Sequence, residues 1–190
     1  MNGKLVLGLG LCTALWLATG TAHAWSTRDL MSLMAGVNES ETSFVETRHS
    51  SLLKAPLVLT GRLVYRRPSR LEKHVQSPYA ESTVIEGSQV SVTRGNGQPS
   101  RTVTVPAGAA QALVESLRAT LAGDLPALER HFTVSVTGEQ GAWALTLLPR
   151  DAALSDFVKR VEITGADAKL GRIEMLEGSG DRTVTVMGAK

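Results

Sequence analysis

The feature that most constrains the fold is a stretch at residues 57–66 in which apolar side chains recur with a period of two. The intervening positions are mixed to polar, so one face of this strand is buried and the other meets water. Half-burial of this kind is typical of antiparallel sheets, because the strands of parallel sheets are covered on both faces. The apolar face consists of Leu57, Leu59, Gly61, Leu63 and Tyr65.

Three other segments carry apolar residues at helical spacing. In the first of them, Leu30, Leu33 and Met34 recur at i, i+3 and i+4 behind Ser26, a residue type that commonly caps helices. Glycine and proline punctuate the other two segments, as is usual at helix ends. The predicted helices run from Ser26 to near Asn38, from Pro106 to Gly123 and from Asp124 through Phe132.

The rest of the chain divides into short strands separated by turn residues. About six strands lie between the first and second helices, and about five follow the third. A parallel sheet would need helices between successive strands, so the order predicts an α+β fold with a large, curved antiparallel sheet and helices on its apolar concave side. Besides residues 57–66, the predicted strands start near Phe44 and cover residues 71–76, 83–86, 89–94, 101–105, 133–137, 143–148, 157–164, 170–177 and 182–187.

The amino terminus has the pattern of a cleavable secretory signal peptide. Lys4 precedes an apolar run from Leu5 to Ala18, which is too short and too lightly flanked to span a bilayer permanently. Ala22-His23-Ala24 then places small residues where signal peptidase requires them, so cleavage is predicted after Ala24. The prediction is therefore a signal peptide at residues 1–24 and a single domain at residues 25–190.

Composition excludes several classes of function. The only cysteine, Cys12, lies inside the apolar run, and Leu11 stands where a lipid-attachment box carries a small residue. Beyond residue 24 there is consequently no disulfide and no cysteine ligand for a metal. The chain has 20 Lys and Arg against 18 Asp and Glu, a near balance that gives no footprint for nucleic acid. No phosphate loop, nucleophile elbow or zinc-binding histidine spacing is present, so no metal, cofactor or catalytic residue is predicted.

The densest basic stretch runs from Arg62 to Lys73. Most of these cations would point to water from alternating strands, which favours a solvated face, and a docking surface for an acidic partner or lipid headgroup is the alternative. Arg67 is distinct because Pro68 follows it and cannot donate a ladder hydrogen bond. Arg67 is thus expected at the rim of the sheet, with five donors available to whatever covers it.

Several motifs together resemble the periplasmic carriers of outer-membrane lipoproteins, the LolA/LolB-type family. No motif is specific alone; their order and spacing carry the resemblance, which covers nearly all of residues 25–190. The motifs are Phe44 with Glu46, Gly61-x-Leu63-x-x-x-Arg67-Pro68, Ile85-x-Gly87, Trp143 with Leu145, Leu147 and Pro149, and the strand pair around Ile173 and Val184.

The resemblance implies an incomplete antiparallel barrel of about 11 strands, with about three helices lidding its concave face. It also implies a non-enzymatic, cofactor-free carrier that shelters lipoprotein acyl chains for transport through the periplasm towards the outer membrane. In the family, the arginine of the R-P motif bonds to the lid and helps to hold the cavity shut, and by motif match this is Arg67. Its partners would be an inner-membrane donor and an outer-membrane acceptor, and we expect a monomer.

The chain departs from the family pattern in ways that leave the ligand open. Only seven aromatic residues follow residue 24, and Leu71 stands where an aromatic is common. These departures indicate a divergent member, and the alternative cargo is a different lipid or an acylated pigment precursor. Two alternatives of other classes are a lipid-acting hydrolase, which needs a polar catalytic set in the cavity, and a structural interaction module, which has a filled barrel.

The candidate cavity residues are the inward side chains of the predicted strands and the apolar stripes of the first two helices. Most such residues in any half-buried sheet pack in the core, so the assignment of each one to a cavity is a hypothesis. The candidates are Leu57, Leu59, Leu63, Leu71, Val75, Trp143 and Leu145 from the sheet, and Leu30, Met34, Leu113 and Leu117 from the lid.

Overall fold

The structure is a computed structural model that describes residues 25–95, 101–104 and 108–189. The predicted signal peptide at residues 1–24 and the predicted helix start at Pro106 lie outside the described residues. The elements are α1 (Thr27–Ala35), β1 (Glu39–His49), β2 (Leu57–Arg66), β3 (Arg70–Ser77), β4 (Glu81–Glu86), β5 (Gln89–Arg94), β6 (Arg101–Thr104), α2 (Ala109–Ala122), α3 (Leu125–Glu129), β7 (Phe132–Glu139), β8 (Ala142–Pro149), α4 (Ala152–Phe157), β9 (Val158–Ala166), β10 (Lys169–Glu177) and β11 (Arg182–Met187).

The described strands form one antiparallel sheet of 11 strands in the order β6-β5-β4-β3-β2-β1-β11-β10-β9-β8-β7. Consecutive strands pair from β1 to β6 and from β7 to β11, and at the centre of the sheet β1 pairs with β11 and joins the two meanders. Within the described residues the edge strands β6 and β7 do not pair with each other, so the sheet stays open. The predicted α+β fold with an incomplete antiparallel barrel is confirmed.

Local chemistry explains where the helices begin and end. At the start of α1, the Ser26 hydroxyl accepts a bond from the Asp29 backbone N–H, and the Asp29 carboxylate accepts one from the Ser26 backbone N–H. This reciprocal pair is a capping box. α2 ends at Gly123, whose φ of 71° is left-handed. A Cβ there would lie 2.1 Å from the Met31 carbonyl oxygen, so only glycine lets α2 end against α1.

The fourth helix, α4, is short and is not predicted from the sequence. The Asp151 side chain accepts a hydrogen bond at 2.7 Å from the Leu154 backbone N–H and caps the helix. Leu154 is fully buried, so the turn is fixed by packing as well as by its cap. The predicted strand start at Phe157 is therefore displaced by one residue, to Val158.

The helices collect over one half of the sheet. α1, α3 and α4 pack on β7, β8 and β9, and α2 packs on the three other helices. The main core lies between these layers and includes Leu30, Leu128, Phe132 and Leu145, all fully buried. A second, smaller cluster of apolar side chains from β1, β2 and β3 is separate from the main core. Its members are Phe44, Leu59 and Val75, with Leu57 and Leu63 packed against them.

No helix in the part of the chain that the structure describes is both long and apolar enough to cross a bilayer.

Candidate functional site

A cavity of about 670 Å³ lies between the helices and the sheet. α1 and α2 contribute apolar side chains from one side, including Met34 and Leu117, and strands from both halves of the sheet form the opposite wall. This volume is within the range of about 300–1,000 Å³ that is usual for small-molecule sites. The two halves of the sheet thus enclose a space that their own side chains do not fill.

The strand register explains why one wall of the cavity is continuous and apolar. Tyr65 is opposite Ser40 on one side and Leu71 on the other, and Leu71 is opposite Ile85. Directly paired residues share a face of the sheet, so this row points to one side. All four side chains line the cavity. Of the alternating apolar positions in residues 57–66, Leu63 and Tyr65 thus contribute to the cavity wall.

Five of the eleven candidate residues line this cavity. Two of them lie on β2 and β3, one on α1 and two on α2, so the structure brings together candidates from both the sheet and the lid. They are Leu63, Leu71, Met34, Leu113 and Leu117.

The other six candidates are not among the lining residues and pack in the two cores. Trp143, Leu145 and Leu30 are buried in the main core. The Trp143 indole also donates a hydrogen bond at 2.8 Å to the Asp167 carbonyl oxygen. The remaining three, Leu57, Leu59 and Val75, belong to the small cluster around Phe44.

Arg67 is exposed at the rim of the sheet and reaches the lid. Its Nη1 donates a hydrogen bond to the carbonyl oxygen of Ala35, the last residue of α1. Its backbone N–H donates separately to the Asn38 carbonyl oxygen at 2.9 Å. Arg67 thus connects the end of β2 to the end of a helix whose Met34 side chain lines the cavity.

The rest of the basic stretch is paired with glutamates of neighbouring strands. Arg66 bonds to Glu39 and Glu72, and Arg70 bonds to Glu72 and Glu86. These ion pairs lie on the face of the sheet away from the cavity, as the solvated-face interpretation expects. Lys73 is the exception, because it lines the cavity.

Four polar residues form a cluster in the cavity wall. The Glu46 carboxylate accepts bonds from Lys73 Nζ at 2.5 Å, Arg48 Nε at 2.8 Å and Thr185 Oγ1 at 3.0 Å. The Glu46 side chain is only 5 % exposed, and all four residues line the cavity. We call Glu46, Arg48, Lys73 and Thr185 the polar cluster.

The charged groups of the polar cluster shift one another's pKa values. Burial would raise the pKa of Glu46, but the opposing charges and hydrogen bonds of Lys73 and Arg48 outweigh it, so the pKa lies below its ordinary value. Burial lowers the pKa of Lys73, and Glu46 offsets part of that shift. The Lys73 ammonium also lies 5.1 Å from the centre of the Phe44 ring, a favourable cation–π distance.

Sequence reasoning missed the polar cluster although a signal for it was present. Glu46 shares a strand face with Phe44, and Lys73 falls between Leu71 and Val75 on the same face of β3. A charged residue at an inward position of an alternating strand is costly unless it is paired. Such interruptions of an apolar face are the pattern that points to this cluster.

The Tyr65 hydroxyl is a further polar group in the wall. It is buried and has no hydrogen-bond partner among the described residues. Burial raises its pKa, although Arg67 and Arg118 lower it in part. The phenol therefore stays neutral and can donate a hydrogen bond to a bound molecule.

Comparison with known protein families identifies the family of this chain. A family model described as "Outer membrane lipoprotein carrier protein LolA-like" matches residues 19–190. The chain belongs to this LolA-like family. The resemblance found in the sequence motifs is thereby confirmed. LolA-like proteins are in general periplasmic carriers of lipid or lipoprotein, without enzymatic activity.

The solved structures that match this LolA-like chain share little of its sequence and have TM-scores below 0.5. A LolA-superfamily protein from Nitrosomonas europaea is 8 % identical, with a TM-score of 0.44 over 87 % of this chain and 93 % of that one. A DUF1329-family protein from Desulfovibrio piger is 11 % identical, with a TM-score of 0.34 over 85 % and 89 %. A chain in the MucA/MucB complex of Pseudomonas aeruginosa is 14 % identical, with a TM-score of 0.43 over 86 % and 57 %. No curated protein matches the chain significantly.

Proposed function

We propose that this LolA-like protein is a periplasmic carrier that shelters lipoprotein acyl chains, or those of a related lipid, for transport towards the outer membrane. The observation that carries the proposal is the cavity of about 670 Å³ between lid and sheet, with its largely apolar wall. Each methylene group moved from water into such a space gains about 0.8 kcal/mol. A chain of a dozen or more carbons would therefore be strongly retained.

Two features of the cavity support a carrier over the other classes of function. Its lining contains no His and no Asp among the described residues, so its serines have no triad partners there. The volume also counts against a structural module with a filled barrel. The carrier proposal needs only apolar shelter and a way to open it.

Arg67 is the residue proposed to hold the lid shut. Its bond to the end of α1 must break if that helix moves away from the sheet rim. A partner that binds the open form better than the closed form would shift the population towards release. In this proposal an inner-membrane donor loads the cavity and an outer-membrane acceptor empties it, and the carrier is a monomer exported by a signal peptide cut after Ala24.

A variant that fills the cavity tests the proposal. Leu117→Trp on α2 introduces a large side chain at a lining position, so we expect it to reduce binding of a fluorescent fatty acid severalfold or more. Leu148→Trp is the matched control, because Leu148 lies on β8 and is 44 % exposed. Binding is measured by fluorescence titration, with circular dichroism to verify folding. Equal affinity in wild type and Leu117→Trp would contradict the proposed site.

A further inference from the structure

The cavity wall is interrupted at one place by the polar cluster, and an acyl chain alone does not account for it. Two cations and one carboxylate meet there, which leaves one unit of positive charge. The side chains of Lys73 and Arg48 retain 24 % and 43 % exposure, respectively. A purely apolar ligand covering them would remove water from charged groups without replacing its hydrogen bonds, which is unfavourable.

The hydrogen-bonding capacity of the polar cluster is only partly used. Glu46 accepts from Lys73, Arg48 and Thr185, so its oxygens are well occupied. Arg48 uses Nε for this contact, and its four other N–H groups have no partner among the described residues. Lys73 likewise has donors beyond the one that bonds to Glu46. Glu46 therefore holds two cations beside the cavity while leaving them free to bind an acceptor.

The other charged residues around the cavity do not cancel this surplus. Glu41 is paired with Arg62 at 3.1 Å, and Glu81 is paired with Arg94 at 2.7 Å. Lys169, at the start of β10, adds a further cation to the lining. Both additional carboxylates thus already have cationic partners, and the cavity favours a negatively charged guest.

We propose that the ligand is an anionic amphiphile, whose carboxylate or phosphate binds Arg48 and Lys73 while its chain occupies the apolar part of the cavity. The inference deepens the proposed carrier function and rests on it. It distinguishes such a ligand from a fully neutral acyl chain, which would leave these cations covered and unsatisfied. Arg48 supplies planar paired donors and Lys73 a compact charge, a combination suited to either oxyanion.

A series of probes with the same chain and different head groups tests this inference. The probes are dodecanol, dodecanoate, dodecyl phosphate and dodecyltrimethylammonium, each below its micellar concentration, titrated into delipidated protein at pH 8 and followed by calorimetry. We expect at least one anionic probe to bind roughly tenfold or more tightly than dodecanol, the effect of one charge-assisted hydrogen bond. The cationic probe should bind most weakly.

Variants of the polar cluster show which residues cause the preference for an anionic head group over a neutral one. Arg48→Gln should reduce it severalfold without changing the affinity for dodecanol. Lys73→Met should do the same, because the remaining Arg48 and Glu46 pair with each other at 2.8 Å and leave no surplus positive charge in the wall. Arg160→Gln removes an exposed cation from the face of the sheet away from the cavity and should keep the full preference.

Each outcome has a distinct meaning. A preference for one anionic probe identifies a carboxylate or a phosphate as the group recognised, and an equal preference for both assigns recognition to the charge. Equal binding of dodecanol and both anions, or an anionic preference that survives both cluster variants, would overturn the inference while the carrier function stands. Failure of every probe to bind wild-type protein would overturn the carrier function itself.

Discussion

Replacing Arg67 by leucine should speed the release of a bound acyl chain. The side chain bonds to the Ala35 carbonyl oxygen at the end of α1, where the last carbonyls of a helix have no partner within the helix. A cation at this end also interacts favourably with the helix dipole. The backbone bond from Arg67 to Asn38 does not involve the side chain, so the path of the chain should be unchanged.

The size of the effect follows from the exposure of this contact. A hydrogen bond to a charged group contributes about 1.5–3 kcal/mol when it is shielded from water. Arg67 is exposed, so solvent and salt reduce the contribution to about 1 kcal/mol. A change of about 1 kcal/mol in the closing equilibrium of the lid corresponds to about a fivefold change in its constant.

The assay is stopped-flow transfer of a fluorescent fatty acid from the protein to lipid vesicles. Arg67→Leu should release the probe about fivefold faster than wild type, with little change in the unfolding midpoint. Arg66→Leu is the matched control, because the neighbouring Arg66 pairs with Glu39 and Glu72 on the other face of the sheet. Release from Arg67→Leu at the wild-type rate, or an equal acceleration by Arg66→Leu, would show that the Arg67 side chain does not hold the lid shut.

Two further predictions concern the sheet. Gly61→Ala should lower the free energy of unfolding in urea by about 1–3 kcal/mol, because its Cβ would lie 1.9 Å from the His74 carbonyl oxygen. Gly141→Ala is the control: its Cβ would meet nothing within 4 Å, so the free energy of unfolding should not change. Hydrogen bonds from Arg182 and Arg172 lower the pKa of Glu174 to about 2, so its stabilising contribution is present above about pH 4.5 and is lost as the pH falls towards 2. Glu174→Gln should therefore lose less stability over that interval than wild type, and equal losses would contradict the ion pair.

The order of elements was predictable because it depends on local patterns. Alternation identified β2 with its observed bounds, and helical spacing with a capping serine identified α1. α4 was missed because six residues are too few for a helical period to be recognised, and its stability comes from the burial of Leu154. Short elements fixed by tertiary packing give little signal in a single sequence.

The cavity was harder to predict than the sheet for a physical reason. Alternation says which residues face inward, but not whether the space before them is filled. Trp143 and Leu145 face inward beneath the helices and become core, whereas Leu63 and Leu71 face inward where space remains. That difference depends on where the helices sit over the sheet, which no strand pattern encodes.

For Lys73 of the polar cluster, the sequence pattern predicted a solvent-exposed side chain. Lys73 was grouped with neighbouring basic residues on a solvated face, because charged side chains are mostly exposed. Its partner Glu46 is distant in sequence and lies on a different strand. Only the sheet register brings the two together across the strand between them, so the sequence shows two interruptions of an apolar face but not that they pair.

Native mass spectrometry of the protein, isolated under mild conditions from its own cells, tests most directly whether the cavity carries a lipid. We expect a bound species that leaves on denaturation and is identified as a lipid or acylated molecule, with wild type carrying more of it than Leu117→Trp. Protein that is recovered empty, and that takes up no acyl chain when one is offered, would contradict the claim that this cavity exists to carry a lipid.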